Sequence, residues 1–165
     1  MPPLPGAHTG AGAGQSHTNA RYQRIVKEPF FKECIPSRLE AMSGVIAGAV
    51  QALQREGWVN AQNAPCMKLC LEEALANAIR HGNRNDPART VCLEVYREGD
   101  TCTICVYDEG RGFRPDAVPE PEVEQLGGRG VCLLRHYMDS VTYDQGNQCL
   151  RMRFRSLAVR DSNGA

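Results

Sequence analysis

The sequence predicts an α+β fold, a two-layer α/β sandwich whose mixed, mostly antiparallel sheet carries its helices on one face. Three observations lead there. Residues 90–97 and 101–107 alternate apolar and polar side chains, are rich in Val, Ile, Thr and Tyr, and are joined by Glu98-Gly99-Asp100, the pattern of a β-hairpin. A second, shorter pair of strand patterns, near 141–143 and 149–154, flanks Asp144-Gln145-Gly146-Asn147, again a hairpin turn. The helical patterns fall between these pairs and do not alternate with single strands, so a doubly wound parallel sheet is excluded and helices packed on a paired-strand sheet are expected.

The 165 residues suit one domain with a real core. Lys plus Arg and Asp plus Glu both number 19, so no electrostatic nucleic-acid binder is indicated. No apolar run approaches the roughly 18 residues of a membrane span, and the N-terminus lacks the basic-then-apolar pattern of a secretion signal. A cytoplasmic protein without a membrane or direct nucleic-acid partner is expected.

In chain order, residues 1–20 are Pro, Gly, Ala, Ser, Thr and His with almost no large apolar side chains and are expected to be disordered. Residues 22–35 mix apolar and polar side chains like a strand, but Pro29 restricts that strand to an edge or an arm, either an ordered lead-in or a docking strand. Pro36 and Ser37 open a helix expected to reach Glu56. Its stripe is Leu39, Met42, Val45, Ile46, Ala49, Val50 and Leu53, and Gly57 is its C-terminal stop.

A helix over 66–83 comes next. Met67, Leu71, Ala74, Leu75, Ala78 and Ile79 form one apolar stripe at about 100° per residue. The other side, which should be solvated and rich in Lys and Glu, carries Cys66, Cys70, Glu73, Asn77 and Arg80. Glu73 and Asn77 are one turn apart on one face, and Asn is a poor interior helix former. This is either a core helix with a surface Glu–Asn pair, or a helix that meets a core on one side and a ligand on the other. Arg80 and His81 fall in the last turn, where a cation suits the dipole, and Arg84 to Arg89 form a turn broken at Asp86–Pro87.

The second strand of the first hairpin delivers Asp108 in the run Asp108-Glu109-Gly110-Arg111-Gly112-Phe113. An acid followed by spaced glycines at a strand end suits a close backbone approach to a ligand. Residues 114–126 hold three prolines and fit no regular element; a loop of that length reads as a surface loop or a mobile lid. Gly127-Gly128-Arg129-Gly130-Val131 then precedes a helix from Arg129 to Asp139, an arrangement suited to phosphate at a helix N-terminus.

The eight cysteines are Cys34, Cys66, Cys70, Cys92, Cys102, Cys105, Cys132 and Cys149. Most lie in apolar runs and are expected to be buried free thiols in a reducing compartment. Cys102 and Cys105 form a CxxC, but within a strand they point to opposite faces, and no second CxxC stands at zinc spacing.

Taken together, ExxxNAxxHG from Glu73 to Gly82, DEGRGF from Asp108 to Phe113 and GGRGVCLLRHYMDSV from Gly127 to Val141 resemble the N, G1 and G2 boxes of the GHKL ATPase/kinase superfamily. The likeness is strongest to the anti-sigma-factor serine/threonine kinases and covers roughly residues 28–155. It implies the ATP-binding (Bergerat) fold over residues 21–156 between an N-terminal tail (1–20) and a C-terminal tail (157–165). It implies a protein kinase that binds a sigma factor and phosphorylates an anti-sigma-factor antagonist. The alternative is a nucleotide-gated partner-binding regulator with little kinase activity. By the same resemblance Glu73 is the catalytic base, Asn77 a Mg²⁺ ligand, and Asn77, His81, Asp108, Gly110, Gly112, Gly128, Arg129 and Gly130 the ATP-binding residues. His81 is equally a helix-end residue, and Arg129 equally a solvated one. Arg38 and Glu40 lie where relatives meet partners, and the resemblance makes a homodimer plausible without fixing the oligomeric state. One departure stands out. The superfamily often places a Thr early in the last strand, near the adenine, where this chain has Gln148 and Cys149.

Overall fold

The computed structural model describes residues 27–110 and 128–156, with residues 128–132 described in backbone only. The elements run β1 (Phe31–Pro36), a 3-10 turn (Leu39–Ala41), α1 (Met42–Arg55), α2 (Ala64–Asn77), a π turn (Ala78–Gly82), β2 (Thr90–Glu98), β3 (Thr101–Tyr107), α3 (Gly128–Tyr137), β4 (Ser140–Asp144) and β5 (Cys149–Arg155). The five strands form one sheet in the order β1-β2-β3-β5-β4, and every neighbouring pair is antiparallel. This is the α+β sandwich expected from the paired strand patterns.

The hairpins follow their turn chemistry. Glu98 pairs Thr101 across Gly99-Asp100, with Gly99 at φ 67°. Asp144 pairs Cys149, and the Asp144 Oδ1 accepts the Gly146 and Asn147 backbone N–H groups at 3.0 and 3.2 Å. Sheet and helices share one core. Val45, Ile46, Ala49 and Leu53 of α1 and Met67, Leu71, Ala74 and Leu75 of α2, with Ala78 and Ile79 of the π turn, meet Leu93, Val95, Ile104, Val106, Met152 and Phe154. The predicted stripe of α2 is buried along its whole length. Trp58 and Val59, in the connection between α1 and α2, join this core.

Three boundaries differ from expectation. Pro36 ends β1, so the first helix begins only after a 3-10 turn, at Met42. Gly57 does stop it, at φ 77°. α2 begins at Ala64 with Pro65 in its first turn and is α-helical only to Asn77. The expected helix to Asn83 instead widens into the π turn, closed by the Asn83 N–H donating to the Ala78 carbonyl at 2.8 Å. β1 is an edge strand, beyond Pro29 rather than broken by it.

The cysteines need one correction. Cys34 and Cys92 are joined in a disulfide across β1 and β2. They face each other in the strand register, with Cα atoms 4.0 Å apart, and Cys34 is exposed. Facing partners in an antiparallel pair lie side by side, a proximity that a sequence separation of 58 conceals. Cys102 and Cys105 point to opposite faces as expected. Cys102 sits in the main core, and Cys105 packs with Tyr96 and Cys149 on the other side of the sheet. Among the described residues no helix is long and apolar enough to cross a membrane. The expected N-terminal tail, the 114–126 lid and Gly112 lie outside the described residues.

Candidate functional site

The α2 face opposite the core stripe carries Glu73 and Asn77, both partly buried, and the π turn continues it to an exposed His81. Glu73 borders a groove of about 360 Å³ between α1 and α2, together with Leu39, Met42, Ser43, Ile46, Glu72, Ala76 and Arg80. Glu72 also pairs with Lys68 at 3.8 Å. The other predicted site residues are not among those lining the groove.

Those at the sheet end converge elsewhere. β3 stops at Tyr107, and the Asp108 N–H donates to the Gln148 carbonyl at 3.1 Å, which pins the chain as it leaves the sheet. Gln148 thus touches Asp108 through its backbone, from a turn residue at φ 51°. The Asp108 side chain is only 8 % exposed. Its Oδ1 accepts the Gly110 N–H at 2.8 Å, and its Oδ2 faces the Tyr143 hydroxyl at 3.4 Å. Burial holds the Asp108 carboxyl above its ordinary range, opposed by the Gly110 N–H, the Tyr143 hydroxyl and the Arg89 charge. A desolvated carboxylate with one oxygen engaged and the other only weakly so is poised to accept a strong hydrogen bond from a ligand.

The π turn brings Gly82 against this carboxylate. A Cβ on Gly82 would stand 2.6 Å from Oδ2 and 2.8 Å from Oδ1 of Asp108. One on Gly110 would overlap the Gly82 carbonyl oxygen and lie 2.9 Å from its carbon. Two motifs separated by the whole β2–β3 hairpin therefore meet backbone to backbone, and the acid of one rests on the glycine of the other. Gly128, Arg129 and Gly130 form the first turn of α3, whose later residues pack against α2.

Two contributors had no signal in the sequence reading. Tyr143 approaches Asp108 only because β4 pairs with β5, the neighbour of β3. Asn83 is wholly buried and bonds both Thr90 and Glu109; in the sequence it is only the last residue of the helix expected over 66–83. No group of three His, Cys, Asp or Glu side chains suited to a metal occurs among the described residues.

Comparison with known proteins supplies a family. The model of the histidine kinase-like ATPase domain matches residues 35–154. The chain is similar to the anti-sigma F factor of Anoxybacillus flavithermus, 33% identical over 90 residues, which are 50% of this chain and 61% of that protein. Anti-sigma F factors of Oceanobacillus iheyensis and Geobacillus stearothermophilus are 33% and 34% identical over 82 residues, 46% of this chain and 56% of each relative. The aligned stretch thus spans less than two thirds of these relatives' length.

Proposed function

The chain belongs to the histidine kinase-like ATPase family, and from that premise we propose that it is an ATP-dependent protein serine/threonine kinase that acts as an anti-sigma factor. In this reading it binds a sigma factor and phosphorylates an antagonist of that binding, with the kinase domain over residues 21–156. The observation that carries it is the meeting of Asp108, Gly82 and Gly110 at the end of the helix that bears Glu73 and Asn77. That arrangement suits a purine nucleotide laid across the helix, base toward Asp108 and phosphates toward α3.

Each residue then has a task within reach of its chemistry. Asp108 Oδ2 accepts a hydrogen bond from the exocyclic amine of adenine. Gly110 and Gly112 let the base lie against backbone. Gly128 and Gly130 offer backbone N–H groups at the start of α3, and Arg129 adds a charge-assisted contact. Glu73 takes the proton of the acceptor hydroxyl, a weak nucleophile until a base is positioned beside it; its groove is open for such a side chain to approach. Asn77 supplies a neutral oxygen, and His81 stands one turn on. Of these residues Asn77 would hold Mg²⁺ through its amide oxygen, and the ion would neutralise phosphate charge.

The similarity to anti-sigma F factors supports the partner assignment. The alternative, a nucleotide-gated binding protein, differs only in the task of Glu73. The test is thermal unfolding with Mg·ATP, followed by phosphoserine or phosphothreonine detection on a candidate antagonist. A ligand at about 100 times its Kd adds roughly 2.7 kcal/mol. The proposal expects this stabilisation to be lost in Asn77→Ala, and expects transfer to be lost in Glu73→Gln while nucleotide binding persists. Binding without transfer to any antagonist favours the alternative. No stabilisation of the wild type refutes both.

A further inference from the structure

Asn83 follows the π turn and has no exposed surface. A primary amide there costs free energy unless both of its ends are bonded, and both are. Its Nδ2 donates to the Thr90 carbonyl at 3.0 Å, and its Oδ1 accepts the Glu109 N–H at 2.8 Å. The Thr90 N–H donates in turn to the Glu109 carboxylate at 2.5 Å. Three segments, the exit of the π turn, the first residue of β2 and the exit of β3, thus close into a ring of hydrogen bonds. Glu109 is the residue between Asp108 and Gly110. The peptide unit that carries Asp108 is therefore held on one side by the Gln148 carbonyl and on the other by the Asn83 side chain.

We propose that Asn83 is a positioning residue for the base end of the nucleotide site, fixing the direction of the Asp108 carboxylate and so the preference for a purine that carries an amine at its six-membered ring over one that carries a carbonyl there. The proposal rests on the nucleotide reading above and adds to it a residue that touches no ligand. The chemistry demands an amide. One end must donate to a carbonyl and the other must accept from an N–H. An ionised carboxylate only accepts and would face the Thr90 oxygen with like charge, and an aliphatic side chain does neither. Without the Glu109 tether the backbone on the far side of Asp108 loses its side-chain anchor, and Oδ2 loses its aim. A carboxylate favours an amine and repels a carbonyl oxygen only while it is aimed, so base selectivity separates this positioning role from a merely structural one, which a loss of stability alone does not.

The experiment uses the full chain and two probes, Mg·ATP and Mg·ITP, which differ in the group at C6 (amine against carbonyl) and in the proton that ITP carries on N1. Their Kd values are measured for wild type, Asn83→Ala and Asn83→Asp between pH 5.5 and 8. The expected wild-type preference is for ATP. Asn83→Ala lowers ATP affinity about tenfold or more, the scale of one well-placed hydrogen bond to a charged group, and leaves ITP nearly unchanged. Asn83→Asp behaves like Asn83→Ala at pH 8 and recovers ATP preference as pH falls, because a neutral carboxylic acid donates and accepts as the amide does. The charged groups around this position, Asp108 and Glu109 at the β3 exit and Asp86 and Arg89 before β2, are also present in the wild type, whose pH profile is therefore the reference. Equal weakening of ATP and ITP, no change in either, or a pH-independent ratio in Asn83→Asp overturns the proposal. Should Asn83→Ala fail to fold, the Asn83→Asp ratio decides alone. A wild type that binds neither nucleotide overturns the nucleotide reading and this proposal together; a wild type that prefers ATP beside an unaltered Asn83→Ala overturns this proposal only.

Discussion

Adding one methyl group at Gly110 tests the contact on which the candidate site is built. A Cβ there would overlap the Gly82 carbonyl oxygen and stand 2.9 Å from the Gly82 carbon and 2.7 Å from Asp108 Oδ1. Ordinary contact begins near 3.4 Å, so the two backbones must part by about 0.5 Å or more. Movement of the Asp108 carboxylate alone cannot absorb this, since the nearest atom is the backbone oxygen of the π turn. Forcing extra volume into a packed site costs about 1–3 kcal/mol. Separation also breaks the hydrogen bond from the Gly110 N–H to a buried carboxylate, worth about 1.5–3 kcal/mol. Together Gly110→Ala should lose roughly 3–5 kcal/mol out of a total stability of about 5–15 kcal/mol. With a urea slope near 2 kcal/mol per M the midpoint falls by roughly 1.5–2.5 M. The paired control is Gly44→Ala in α1, where a Cβ meets nothing within 4 Å. That change should raise stability by about 0.5–1 kcal/mol, the helix-interior difference between the two residues. A Gly110→Ala midpoint within about 0.3 M of wild type would refute the close approach of the two motifs and with it the site geometry.

Asp108→Asn should stabilise the nucleotide-free protein at pH 7, because the amide keeps the acceptor for Gly110 without a buried charge. The sign follows from the raised Asp108 carboxyl: its stability contribution is fully present below the unfolded-state value and is lost as pH rises through the folded-state one, so the advantage of Asn should shrink as denaturation is repeated toward pH 4. Tyr143→Phe should leave stability within about 1 kcal/mol yet move the Asp108 titration further up, read by NMR, since the hydroxyl opposes the shift; an unmoved titration would remove Tyr143 from the site. Reduction of Cys34–Cys92 should cost about 2–4 kcal/mol, as the bond closes a long loop, and Cys34→Ser should abolish the effect of reductant; equal stability with and without reductant in wild type would show that the bond constrains nothing.

The periodicities in the sequence decided the elements. Alternation marked β2 and β3, the apolar stripe marked the buried face of α2, and the order of the three glycine-bearing motifs pointed to the family that the domain match over residues 35–154 then supplied. These signals are local, because a side chain's direction along a helix or strand follows from its spacing alone. What the sequence could not decide is what faces what across the sheet. Cys34 and Cys92 read as buried thiols because their meeting depends on the register of β1 against β2. Tyr143 reads as one more strand residue until β4 takes its place beside β5 and aims the hydroxyl at Asp108. The π turn was legible only as the end of a helix, although its one extra residue per turn is what seats Gly82 on Asp108 and turns Asn83 inward to Thr90 and Glu109. Hydrogen bonds between segments 20 or more positions apart, such as Glu109 to Asn83, arise from strand order and close packing, and neither is written in any single stretch of the chain.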